Sequence, residues 1–247
     1  MKPLFQEKIK TWLPVPEKKR KNLKKLFSLV APKYQAVTRM LSLGRDASWK
    51  KMLVRQLPTY QAPECLDLAC GTGDLCFLLA QRFPEGRIQG LDFNDEMLAK
   101  AHERNNFKNI SFINQDMCNL KSISSGSIDI VTGGYALRNA PDLNSALNEV
   151  FRVLKVGGIA SFLDFSKPPK KWLQKMHYVI LKSWGSLWGV LFHGRPEVYA
   201  YLAESLSVFP DREQLKQKFK SHGFQEISSQ LLFGGMLEII QCKKGSE

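Results

Sequence analysis

Apolar runs of strand length alternate with amphipathic stretches through the middle of this chain. The first is Cys65-Leu66-Asp67-Leu68-Ala69, and a helix predicted from Asp74 buries Leu75, Leu78 and Leu79. Further strands are predicted over about 87–91, 110–113, 128–132 and 159–163. Asp95 opens a helix to about residue 105. Pro141-Asp142 starts another that runs to about Lys155, with Gly157-Gly158 closing it. Residues 170–207 are rich in aromatics and hold no clear strand, which predicts a helical insertion. The alternation resumes with Asp211-x-x-Gln214, a capping-box start, followed by Leu215 and Phe219 at helical spacing and a stop at Gly223. Two strands then close the pattern, about 224–231 and 236–242. Upstream, residues 24–58 read as helical, with Leu26, Leu29 and Val30 on one face and a turn near Gly44. Seven strands with intervening helices predict an α/β, Rossmann-like domain. Its sheet is mostly parallel, helices cover both faces, and a ligand lies at the carboxyl ends of the strands.

The turn after the first strand narrows the ligand. Cys70-Gly71-Thr72-Gly73-Asp74 brings two glycines to a strand–helix junction, and Asp92 ends the second strand 21 positions after Gly71. Such an acid reaches ribose hydroxyls. A dinucleotide fingerprint needs a third glycine where this chain has Cys76, and no Gly-Lys-Ser/Thr phosphate cradle follows. The turn therefore suits a nucleoside without phosphates. S-adenosylmethionine (SAM) is one, with ribose hydroxyls for Asp92 and an amino-acid tail for the turn. Glycines here serve equally as packing devices, so the turn alone does not decide.

Charge adds a second theme. The chain of 247 residues has a formal charge of +13, and nine of the first 25 residues are Lys or Arg. Residues 1–25 are expected to form a basic arm whose Pro3, Pro14 and Pro16 break any long helix, ahead of one domain over 26–247. Such an arm attracts RNA or an anionic membrane, or stays a solvated tail. The five cysteines lack zinc-ligand spacing and read as buried hydrophobes in a reducing compartment, with no metal site expected. No apolar leader and no 18-residue apolar run is present.

Several longer stretches identify a family. They are residues 66–74 (Leu-Asp-Leu-Ala-Cys-Gly-Thr-Gly-Asp), Leu91-Asp92-Phe93-Asn94, Leu137-Arg138-Asn139, and residues 152–158 (Arg-Val-Leu-Lys-Val-Gly-Gly). With them run residues 163–168 (Leu-Asp-Phe-Ser-Lys-Pro) and Tyr199-x-Tyr201-Leu202-Ala203-Glu204-Ser205. In this order over about residues 34–242 they resemble the UbiE/MenG methyltransferases, which C-methylate the quinol ring of menaquinone and ubiquinone precursors. The resemblance departs at one early segment, where Asp46-Ala47 stand in place of a His-Arg pair, at Asp164 in place of a usual Glu, and at Phe233 in place of a Thr.

The resemblance implies a class I SAM-dependent fold and a set of sites. Asp92 would hold the ribose, and Gly71, Thr72 and Gly73 would meet the cofactor at the turn. Asp116 would meet the adenine amino group with Met117 on the ring, Gly134 would be a further cofactor contact, and Asp67 would hold the methionine ammonium. Arg138 would stabilise a developing phenolate while Asn139 orients the ring, with Tyr135, Tyr34, Tyr199 and Tyr201 on the substrate side. Gly133-Gly134-Tyr135-Ala136 is not the Asn/Asp-Pro-Pro-aromatic motif of amino-group methyltransferases. The expected partner is a lipid quinol rather than a nucleic acid. A cytoplasmic enzyme touching the inner face of a membrane is expected, with Trp184, Leu187, Trp188 and Leu191 as one face for tail or lipid. An RNA methyltransferase and a non-catalytic SAM-binding protein are the alternatives.

Overall fold

A computed structural model describes residues 4–245. The central sheet has seven strands: β1 (Glu64–Leu68), β2 (Arg87–Asp92), β3 (Ile110–Asn114), β4 (Ile128–Gly134), β5 (Leu154–Phe165), β6 (Phe224–Leu232) and β7 (Leu237–Lys244). Their order is β3-β2-β1-β4-β5-β7-β6. The first five are parallel, and β7 inserts antiparallel between β5 and β6. Both sheet faces are covered, so the strands alternate between two cores rather than between core and water. On β1, Leu66 and Leu68 enter one core, with Val131 and Phe162, while Cys65 enters the other, with Ile130 and Leu163. The Rossmann-like α/β sheet expected from the alternation is present, as is the class I fold that the resemblance implied.

Eleven α-helices occur among the described residues. Upstream of the sheet are α1 (Ile9–Trp12), α2 (Pro16–Val30), α3 (Tyr34–Leu41) and α4 (Asp46–Arg55). Between the strands run α5 (Asp74–Arg82), α6 (Asp95–Arg104), α7 (Ala136–Asn139) and α8 (Leu143–Val153). The expected insertion is the antiparallel pair α9 (Lys171–His193) and α10 (Glu197–Val208), and α11 (Arg212–Ser221) starts with the expected capping box. Gly185 and Gly189 let this pair meet closely, since a Cβ on Gly185 would lie 2.5 Å from the Tyr199 carbonyl oxygen.

Three details correct the sequence reading. The first 25 residues are not a free arm over the part described; residues 1–3 lie outside it. Pro16 starts α2 rather than breaking it, because a helix N-terminus has no use for the missing N–H. Trp12, Leu13, Leu23 and Leu26 join a third apolar cluster with Val198, Tyr199 and Tyr201 of α10. The stretch 24–58 has the expected turn at Gly44, whose φ is +76°, and a second, unexpected interruption around Pro32 that divides it into three helices. Gly157-Gly158 does not close α8. That helix ends at Val153 because Leu154 turns extended to pair with Ile128, and the glycines sit in a register shift within β5. Just past β4, as expected for Arg138 and Asn139, the short α7 follows through Tyr135, whose φ of +60° is costly for a bulky residue.

Candidate active site

The carboxyl ends of β1, β2 and β4 converge on the Gly71–Gly73 turn. Gly71 and Gly73 adopt φ of +55° and +87°, which only glycine accepts cheaply. Asp92 is buried at the end of β2. Its Oδ2 accepts the Gly71 N–H at 2.9 Å and its Oδ1 the Asn94 N–H at 2.9 Å. A carboxylate offers about four acceptor positions, so each oxygen keeps one lone pair for a ribose hydroxyl. Burial pushes the Asp92 carboxyl up to about 6, against the opposing pull of these N–H groups.

A small cavity beside the turn is lined by Tyr34, Lys50, Asp67, Thr72, Asp74 and Gly134, among others. Burial likewise raises Asp67 to about 6, although it accepts from Thr132 Oγ1 at 2.7 Å and from Cys76 Sγ at 3.5 Å. Burial acts on Asp74 too, but Lys50 and Arg104, at 2.9 and 2.7 Å, hold it below the usual carboxylate range. Burial opposes the Lys50 charge, yet Asp46 at 2.7 Å and Asp74 raise it well above the ordinary lysine value. Thr72 Oγ1 is buried without a hydrogen-bond partner. Cation, carboxylates and a waiting hydroxyl suit a zwitterionic amino-acid tail, so the residues present fit SAM. Lys50 and Arg104 are the members that sequence reasoning missed. Only the Trp49-Lys50 end of the family-like segment pointed to the first.

The side of Asp116, where the adenine was expected, is covered by α2. Asp116 accepts from Cys118 N at 2.8 Å and from Arg20 Nε at 2.5 Å. Lys24 pairs with Asp95 at 3.0 Å. Lys19 Nζ donates to the Arg138 and Ala140 carbonyls at 3.0 and 2.6 Å, and burial lowers it to about 8. Lys19, Arg20 and Lys24, three of the nine cations among the first 25 residues, are thus engaged within the fold. Met117, expected against an adenine ring, is packed in the core beneath the sheet with Leu66 and Leu91.

A second, larger cavity of about 490 Å³ adjoins the first, and its wall is overwhelmingly apolar. Tyr34 lines both cavities, and Gly134 of the small one is followed by Tyr135 of the large one. Arg138, Asn139, Tyr135, Tyr199 and Tyr201 all reach this wall, as expected. Arg138 is 2% exposed. It donates from Nη1 to Ser205 Oγ and pairs with Asp164 at 3.5 Å, between the rings of Phe165 and Tyr201. Burial raises the Asp164 carboxyl, with Arg138 opposing. Tyr135 Oη donates to Asp46 Oδ1 at 2.7 Å, so the residue standing where the family has a histidine braces the cavity wall. Asn139, expected to orient a ring, is engaged at both ends of its amide. Its Nδ2 donates to the Tyr135 carbonyl and its Oδ1 accepts from Tyr201 Oη, at 2.8 and 2.9 Å. Its first task is therefore to fix Tyr201. The aromatic row of α9 also divides: Trp184 lines the cavity and Trp188 packs inward, while Leu187 and Leu191 are exposed.

The model of the ubiE/COQ5 methyltransferase family matches residues 15–244. A demethylmenaquinone methyltransferase of Desulfitobacterium hafniense is 32% identical over 223 residues, 88% of either chain. A 2-phytyl-1,4-naphtoquinone methyltransferase of Thermosynechococcus vestitus is 35% identical over 90% of this chain and 99% of its own. Among solved structures, a SAM-dependent methyltransferase of Thermotoga maritima superposes with TM-score 0.63 at 15% identity, covering 89% of this chain and 98% of its own. A phosphoethanolamine N-methyltransferase of Haemonchus contortus, solved with S-adenosylhomocysteine, gives 0.59 at 15% identity over 78% of this chain and 51% of its own. These two likenesses concern the fold.

Proposed function

The chain belongs to the ubiE/COQ5 methyltransferase family, and on that premise we propose that it C-methylates a demethylated isoprenoid naphthoquinol, its methyl donor being SAM. The carrying observation is the junction of the two cavities. A polar one, built for a zwitterion, meets a large apolar one across Tyr34 and the Gly134-Tyr135 step. About 490 Å³ falls within the range of small-molecule sites, about 300–1,000 Å³. The 1,4-naphthoquinone named for one relative and the demethylmenaquinone named for another favour the bicyclic ring over a benzoquinol.

When bound, SAM supplies the methyl group and departs as a neutral thioether. The protein's share is to hold the ring in line and to make its carbon electron-rich. Arg138 stands at the cavity wall as a fixed cation, which lowers the cost of a developing phenolate in a water-poor site. Asp164 and Ser205 hold the guanidinium, and Asn139 holds Tyr201 over it. Transfer of a labelled methyl from SAM to demethylated naphthoquinol and benzoquinol tests this reading. Incorporation into neither ring would end it.

Peripheral contact with a membrane is part of the same proposal. No helix among the described residues is long and apolar enough to cross a membrane. Yet α9 exposes Trp172, Val179, Ile180, Leu187, Val190 and Leu191, and Ile180 lines the cavity as well, together with Leu181 and Trp184. Lys170, Lys171, Lys175 and Lys182 flank that face. An apolar row rimmed by cations suits an anionic lipid surface from which a polyprenyl tail enters. Vesicles containing anionic lipid should retain the protein in low salt and release Val179→Glu/Leu191→Glu. Equal retention of both proteins would remove α9 from the contact.

A further inference from the structure

Among the described residues of the cavity wall, His177 carries the one fully buried side-chain acceptor that has no hydrogen-bond partner. It lies on the inner side of α9 and is 1% exposed. Neither ring nitrogen has a hydrogen-bond partner: Nδ1 is fully buried away from the cavity, and Nε2 is the nitrogen left accessible at its wall. A leucine or phenylalanine would line an apolar wall without that desolvation cost. The helix pairing shows where it lies. Tyr178 Oη meets Glu204 at 2.7 Å, and Gly185 abuts Tyr199, so α9 runs antiparallel to α10 with His177 level with residues 201–205. Arg138 donates to Ser205 in that same turn and stacks on Tyr201. His177 and Arg138 therefore serve one end of the cavity. Burial also lowers the imidazole to about 4, so it is neutral at neutral pH and keeps a lone pair.

The reduced ring brings a specific need. A quinol has two hydroxyls, and each must donate a hydrogen bond when it is buried. Arg138 can only donate. The Asn139 oxygen already accepts from Tyr201, while the Tyr135 and Tyr201 hydroxyls donate to Asp46 and Asn139. Tyr199 Oη is paired with His193 at 2.9 Å. An unpartnered imidazole nitrogen is a stronger acceptor than the remaining alcohol and phenol oxygens of the wall. We propose that His177 is a substrate-binding residue whose free ring nitrogen accepts a hydrogen bond from a ring hydroxyl of the quinol. This rests on the quinol reading of the site, and it makes the cavity select for the reduced ring.

The full-length wild type, His177→Leu and His177→Gln would be compared with SAM and a short-tailed demethylated naphthoquinol. Binding of the methylated quinol product would be followed by quenching of tryptophan fluorescence. His177→Leu should raise the quinol KM and the product Kd about tenfold. SAM affinity should hold, and the melting temperature should stay level or rise, because an unsatisfied group has left an apolar wall. His177→Gln, which restores an acceptor, should recover most of the loss. Unchanged quinol KM and Kd in His177→Leu would overturn the proposal. So would a parallel fall in SAM affinity and melting temperature, which would mark the residue as structural. A wild type that binds quinol without methylating it would end the methylation reading while leaving the binding comparison intact. A wild type that binds no quinol would end both.

Discussion

Replacing Asp92 with alanine should separate cofactor affinity from fold stability. Without cofactor, the Asp92 carboxyl rises from 3.8 to about 6 on burial. At neutral pH that costs the folded state about 3 kcal/mol. Alanine removes this cost but leaves the Gly71 and Asn94 N–H groups without their acceptors, at about 1–3 kcal/mol each. The two effects largely cancel, so the cofactor-free variant should lie within about 3 kcal/mol of wild type. Binding has no such compensation. Two hydrogen bonds from ribose to a carboxylate, at about 1.5–3 kcal/mol each, predict SAM affinity at least about 100-fold weaker by calorimetry. The sign with pH is also fixed. The folded pKa is raised, so the Asp92 contribution is present below about pH 4 and is lost as pH rises through about 6. Urea unfolding at pH 5 and pH 7.5 should therefore shift in the variant's favour at the higher pH. Near-wild-type affinity in the variant, or a variant that loses ground to wild type between pH 5 and 7.5, would refute the reasoning.

Arg138→Lys keeps a charge opposite the buried Asp164 and should fold, yet lose about 100-fold in kcat with SAM affinity unchanged, as steady-state kinetics and calorimetry would show. Arg138→Ala should in addition lose about 3–5 kcal/mol in urea unfolding, because Asp164 is left buried without its counter-charge. Trp12→Ala should cost about 3–5 kcal/mol, since Trp12 is fully buried against Tyr201 with ring centroids 5.8 Å apart. A change under about 0.5 kcal/mol, typical of surface sites, would return residues 4–25 to the status of a solvated tail. Tyr135→Phe removes the hydroxyl that meets Asp46, and at about 1 kcal/mol it should weaken stability without changing SAM affinity.

Periodicity and turn chemistry determined much of this protein before any coordinates. Alternating strands and helices required a covered, mostly parallel sheet, and a Gly-x-Gly turn with an acid 21 residues on marked where a nucleoside's ribose would sit. These signals are local, so a linear reading can see them. Asp92, Gly71, Thr72 and Gly73 stand together as that reading required. The Arg138 region was legible through its motif, but its partners Asp164 and Ser205, 26 and 67 residues away, were not. Distance in sequence also hid the fate of the N-terminal charges. Lys19 and Arg20 look like a solvated run, yet they meet the Arg138 carbonyl and Asp116, about a hundred residues on. Asp46 read as a lost histidine until Tyr135 and Lys50 were seen beside it. His177 carried no signal at all. A histidine among apolar neighbours on a helix becomes informative only when packing fixes which side of α9 faces the cavity and which polar groups there are already paired. Sequence determines which groups are available and what secondary structure carries them. Tertiary structure decides which of them are satisfied, because hydrogen bonds and desolvation depend on neighbours that the chain brings together only by folding.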